Sequence, residues 1–195
     1  MTVPGDAVGN VAAGAPRGRL LAIDYGERRV GLAISDPLGM IASPAGVIVR
    51  RPGKRPPIAE IVRRAEATEA RGFVVGLPLD GAGDDTPRAV EVRRIAADLA
   101  RRTGLPTYLV DERYTTAAAL RGVRESGSTT RDRKADIDAL AAAVILRHTL
   151  ALGEAAFAAA RVEPAPDPAR AASGIVAPSS SIPAADGPAT GLADA

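Results

Sequence analysis

Residues 20–35 read LLAIDYGERRVGLAIS, and how this stretch is parsed decides the fold. Leu20-Leu21-Ala22-Ile23 is a short apolar run of the kind a buried strand makes, and Gly26 ends it. In residues 29–35, Val30, Leu32 and Ile34 alternate with smaller or polar neighbours, the period of a second strand. Residues 40–50 contain Val47-Ile48-Val49 and read as a third. Only GER and DPLG separate the three, so they are expected to be antiparallel neighbours.

Beyond residue 50 the period changes. Ile58, Ile61, Val62 and Ala65 lie at i, i+3, i+4 and i+7, with Arg63, Arg64, Glu66 and Glu69 facing out, which predicts a helix. Phe73-Val74-Val75 predicts a short buried strand running into the loop 76–81. Thr86 is a suitable N-cap, Pro87 suits the first turn, and Gly104 with Pro106 ends the next helix. Its core face is Val92, Ile95, Ala96 and Leu99. Tyr108-Leu109-Val110 reads as the last strand. A short helix capped by Thr115 or Thr116, a basic loop over 121–134 and a final helix over about 137–151 complete the order. The expectation is an α/β fold: a mixed five-stranded sheet, three antiparallel strands plus two parallel, with helices on both faces.

Three acids stand where a folded chain tolerates them only with a partner. Asp24 follows the first apolar run, Glu112 follows Leu109-Val110 with Asp111 between, and Asp138 opens the run 139–146. Ala141, Ala142 and Ile145 follow Asp138 at i+3, i+4 and i+7, so Asp138 lies on the packing face of its helix. Asp136 and Asp138 also suit a helix cap and first turn, and sequence alone leaves both open. In sheets of this kind, strand ends meet at the switch in direction, and ligands bind there. Carboxylates gathered at about 5 Å repel by roughly 3 kcal/mol per pair at an effective dielectric near 20. Protonation or a dication must relieve them. Hard oxygen donors, in a chain without cysteine, suit Mg2+ or Mn2+, two ions being expected. Two such ions can bracket an in-line displacement at phosphorus.

The charge pattern agrees with a polyanionic substrate. The chain has 25 Lys+Arg against 23 Asp+Glu. Residues 162–195 hold four of the acids and one Arg, leaving an excess of five basic residues in the remainder. All but two of the basic residues are Arg, suited to forked phosphate contacts. Arg29, Arg113, Arg131, Arg133 and Lys134 are the candidate nucleic-acid contacts. An aromatic content of 3% argues against a base-stacking platform.

The organisation expected is a disordered extension over 1–18, one domain over 19–153 and an Ala/Pro/Ser-rich tail over 154–195, disordered from about 162. The first 18 residues lack a basic start followed by an apolar stretch and do not read as a secretory signal. No apolar run is long enough to span a membrane. No membrane partner is expected, and the cytoplasm is the default compartment.

The residues from Leu21 to Asp36 resemble the opening motif of the YqgF family, also called RuvX. The resemblance continues through Val75-Gly-Leu-Pro-Leu79, Gly83, Pro87-Arg88, Asp111-Glu-Arg-Tyr-Thr-Thr116, and Asp138 with Ala141-Ala142 and Ile145-Leu146. It covers about residues 19–152. It implies an RNase H-like fold, similarity to Holliday junction resolvases, and action on a ribosomal RNA precursor as a pre-16S rRNA nuclease. It also implies that Asp24, Glu112 and Asp138 form an acidic triad, choosing Asp138 over Asp136. Where that family has Asn, Met and Asp after Gly-Leu-Pro-Leu, this chain has Asp80, Gly81 and Ala82. Two rivals share the charge pattern: a resolvase of four-way DNA, which needs a two-fold dimer, and a nucleic-acid-binding factor without catalysis. Monomer and homodimer both stay open. A two-domain nucleotide clasp of the sugar-kinase type needs a longer chain.

Overall fold

A computed structural model describes residues 17–51, 53–113 and 131–162. All of them lie in the unit Met1–Ala165. Strands β1 (Leu20–Tyr25), β2 (Arg29–Ser35) and β3 (Ala42–Val49) come first. Helix α1 (Ile58–Ala67), β4 (Gly72–Leu77), α2 (Pro87–Thr103), β5 (Thr107–Asp111), α3 (Arg131–Leu152) and α4 (Glu154–Ala160) follow. The sheet order is β3-β2-β1-β4-β5. The pairs β1–β2 and β2–β3 are antiparallel, while β1–β4 and β4–β5 are parallel. This is the mixed five-stranded sheet, three antiparallel strands plus two parallel, that the sequence predicts.

Strand periodicity sorts side chains to two faces. Leu21, Ile23 and Tyr25 of β1 join Phe73, Val75 and Leu77 of β4 against α1 and α2. Leu20 and Ala22 join Val74, Tyr108 and Val110 against α3 and α4. Both faces of β1 and β4 are covered, so these strands read as unbroken apolar runs. On α3 the contact residues include Ala141, Ala142, Ile145 and Leu146; the alanines let the helix lie close. The α2 caps form as the sequence predicts. The Thr86 hydroxyl accepts the Ala89 N–H at 3.0 Å. Gly104 takes the left-handed conformation at φ 67 that a side chain would strain.

Two boundaries differ from the sequence reading. The final helix begins at Arg131 rather than near 137, so Arg131, Arg133 and Lys134 belong to its first turns and not to a loop. No Gly or Pro interrupts 131–138, and Arg, Lys and Ala favour continuation of the helix. Residues 154–160, read as the start of the tail, form a helix that seats Phe157 edge-on against Tyr108, ring centroids 5.0 Å apart. Val162 then donates its N–H to Thr107 O at 2.8 Å, so the packed chain reaches at least that residue. The predicted short helix near 116–120, the loop 121–130 and the extensions 1–16 and 163–195 lie outside the described residues. No helix among those described is long and apolar enough to cross a membrane.

Candidate active site

The α3 face of the sheet carries the three acids. Asp24, Glu112 and Asp138 are 1%, 2% and 1% exposed. Asp24 shares the parity of Leu20 and Ala22 along β1, so its side chain leaves the sheet toward α3. Glu112 shares the parity of Tyr108 and Val110. Its N–H donates to Leu77 O at 3.2 Å, carrying the β4–β5 pairing one residue further.

Glycine on either side of Asp24 makes room for the other two acids. Asp24 pairs with Gly31 on β2. On β4, the register Ile23–Val75 puts Gly76 next in line, and Gly76 pairs with Val110 on β5. A Cβ on Gly76 would overlap Glu112 Oε1 and come within 2.8 Å of Ile145 Cδ1. A Cβ on Gly31 would overlap the Asp138 carbonyl oxygen. The Glu112 carboxylate therefore lies over β4 on one side of Asp24, and the start of the Asp138 turn lies over β2 on the other. Neighbouring strands are about 4.8 Å apart, so three segments distant in sequence converge within one strand spacing of Asp24. Sequence reasoning singled out neither Gly31 nor Gly76 as a residue giving room. The two strand glycines do that work, and a lone Gly inside a strand pattern was the available signal.

Arg29 closes one side of the group. It leaves β2 on the same face, with Nη1 3.9 Å from Asp138 Oδ2 and about a fifth of its side chain exposed. It thus spans from a buried carboxylate to solvent. Arg113 is held within the chain: Nε reaches Asp111 Oδ1 and Oδ2 at 3.2 and 3.0 Å, and Nη2 reaches Oδ2 at 2.8 Å. Those bonds hold the Asp111 carboxyl below the usual carboxylate range. The Arg113 guanidinium also lies against Gly83, within 3.3 Å of where a Cβ would stand, in the loop after β4. Asp80 organises that loop by accepting the N–H groups of Ala82, Gly83 and Asp84, each at 2.9 Å. These bonds, Asp84 first, hold its carboxyl below the usual range. The positions where the related family has Asn, Met and Asp thus form an ordered turn. Arg131, Arg133 and Lys134 stand at the start of α3; their side chains lie outside the described set. Asp136 is exposed, unlike Asp138.

The other side of β1 carries a second polar group. Tyr25 is buried, and its hydroxyl donates to Glu91 Oε1 at 3.1 Å. Burial pushes its phenol well above the ordinary range, opposed in part by Arg50. No sequence pattern pointed to Arg50 or Glu91.

Chemically, the donor set is carboxylate oxygen, which suits a hard dication. Among the described residues, no three such groups are already drawn up around one ion position. What is built is the convergence: two bare positions in the sheet that admit Glu112 and Asp138 beside Asp24.

A family model described as "RuvX: Holliday junction resolvase" matches residues 18–152. A protein of Koribacter versatilis, named as a candidate pre-16S rRNA nuclease, is 41% identical over 133 residues, covering 68% of this chain and 86% of its own. One from Clavibacter michiganensis with the same name is 40% identical over 139 residues, covering 71% and 86%. Among solved structures, Thermus thermophilus RuvC in complex with a Holliday junction substrate aligns with a TM-score of 0.48 at 15% identity, covering 74% of this chain and 99% of that one. The family match spans more than half of the sequence, and the relatives share two fifths of the aligned residues: the chain belongs to the RuvX family.

Proposed function

We propose that this protein is a divalent-metal-dependent nuclease that hydrolyses phosphodiester bonds in maturing the 5′ end of pre-16S rRNA, in the cytoplasm. Asp24, Glu112 and Asp138 are the catalytic and metal-holding residues, and the cofactor is Mg2+ or Mn2+, with two ions expected. Bound dications would supply Lewis acidity and a nucleophile at neutral pH for in-line attack at phosphorus. The chain's own residues do the rest. The three carboxylates hold the cations, and their burial keeps those contacts out of bulk water, where electrostatic attraction is weakest. Arg29, reaching from Asp138 to solvent, orients a phosphate at the rim. Arg113, Arg131, Arg133 and Lys134 are further candidate contacts to the nucleic acid.

The observation that carries this reading is the pair of bare positions flanking Asp24, with Glu112 over Gly76 and Asp138 over Gly31. The substrate is inferred from the names of the relatives. A second reading, resolution of four-way DNA, is favoured by the description of the family model. It requires a two-fold pair of sites and hence a homodimer.

The deciding experiment incubates wild type and Asp24→Asn with a precursor RNA fragment and with a four-way DNA junction, with and without Mn2+. Asp24→Asn is expected to lose cleavage by about a thousandfold, some 4 kcal/mol of barrier, while RNA binding is retained. Undiminished cleavage by the pure variant would end the assignment. Dimeric protein with preferential junction cleavage would transfer it to the second reading. Tight binding without product in any metal would leave a binding factor.

A further inference from the structure

We propose that Arg50 is a positioning residue that sets Asp24 and Arg29 relative to one another by clasping the turn between them; the inference rests on the nuclease reading of that site. Asp24 is followed by Tyr25, then the turn 26–28, then Arg29. Gly26 N–H donates to Arg29 O at 3.0 Å across the turn. Among the described residues, the other bonds that brace it come from outside the turn, and most of them from one residue.

Arg50 stands just past β3. Its own N–H donates to Arg28 O at 2.9 Å. Its Nη1 donates to Gly26 O at 2.7 Å. Its Nη2 donates to Glu91 Oε1 at 2.9 Å. The guanidinium carbon stands 4.1 Å from the centroid of the Tyr25 ring. Tyr25 completes the loop by donating its hydroxyl to the same Glu91 oxygen. A second link from α2 pairs Arg88 with Glu27, inside the turn. The Arg50 side chain is only 16% exposed, so its bonds are largely shielded from water.

The clasp sits on the opposite face of the sheet from the acids, yet it is one residue away along the chain. Side chains alternate across a strand, so a tilt of Tyr25 on one face swings Asp24 on the other. The same turn delivers Arg29 toward Asp138. An arrangement meant to grip cations with buried carboxylates tolerates little such play, since displacements near 1 Å can cost about a hundredfold in rate. Arginine suits the position because one planar group stacks on the ring and donates in two directions at once. Lysine keeps the charge and loses the fork.

The test uses the full chain as wild type, Arg50→Ala, Arg50→Lys and Tyr25→Phe. Two readouts are taken: amide hydrogen exchange of the peptide spanning 24–29 against one spanning β4, and kcat and KM on precursor RNA in Mn2+. Arg50→Ala is expected to speed exchange in 24–29 by about tenfold or more while β4 stays unchanged. It should lower kcat by about thirtyfold with KM little altered, and Arg50→Lys should recover only part of that loss. Tyr25→Phe, which keeps the stacked ring, should fall between wild type and Arg50→Ala. A rise in KM with kcat intact would make Arg50 a substrate contact and overturn the proposal. So would unchanged exchange, or equal loosening of 24–29 and β4. If wild type cleaves nothing, the nuclease reading falls, and the exchange comparison still decides whether the clasp exists.

Discussion

The two faces of one sheet are built to opposite specifications. Against α1 and α2 the sheet packs Leu21, Ile23, Phe73 and Val75 onto Val92, Ile95 and Leu99. Against α3 it packs four small residues, Ala22, Ala33, Ala141 and Ala142, among larger ones such as Leu20, Tyr108, Ile145 and Leu146, and there lie all three buried acids among the described residues. Large apolar side chains interdigitate and stabilise by about 1.5–3 kcal/mol each. Buried carboxylates near one another do the reverse. Both faces hold apolar cores, but only the face in front also carries buried charge among the described residues. A cleft of about 760 Å³ between α1 and α2 contains none of the three acids.

This contrast can be broken from either side. Leu99→Ala, at a fully buried position on the α1/α2 face, should cost about 2–5 kcal/mol in denaturant unfolding. The catalytic rate per folded molecule should stay unchanged below the transition. A Leu99→Ala protein that is stable but slow would show that the faces are not separable. Gly76→Ala, on the α3 face, should cost less stability, about 1–3 kcal/mol, because the group its methyl overlaps is the movable end of Glu112. Yet it should lose most cleavage and weaken Mn2+ binding, measured by calorimetry. Full Mn2+ affinity in that variant would mean the Glu112 carboxylate need not lie over β4.

The smallest effect concerns an acid just outside the site. Asp111 is in a forked pair with Arg113, and its carboxyl is held below the usual range. A carboxyl with a lower value in the folded state adds stability above its unfolded value, near pH 4, and loses it as pH falls through the lower folded value. Asp111→Asn should therefore flatten the decline in melting temperature as pH falls below about 4 and leave the neutral end slightly lowered. Parallel curves for the two proteins would remove the pair from any account of acid sensitivity.

The legibility of the chain follows the range of the forces involved. Val30, Leu32 and Ile34, or Thr86 and Gly104, answer to neighbours within a few residues, and the five predicted strands, the helices α1 and α2 and the α2 caps formed where expected. The start of α3 was misread because a basic, polar stretch resembles a loop until a helix has somewhere to dock. The same holds for residues 154–160, whose one large apolar side chain, Phe157, finds Tyr108 only in the fold.

By itself, then, the sequence determined the alternation of strands and helices and singled out Asp24, Glu112 and Asp138 as acids beside apolar runs. Their convergence was the work of tertiary structure: the registers that set Gly31 and Gly76 on either side of Asp24, and the reach of Arg50 across the turn. The reason is physical. Backbone propensity and hydrophobic period act over a turn or a strand, whereas a shared site depends on which strands pair and in what register, and that is decided by the packing of the whole domain.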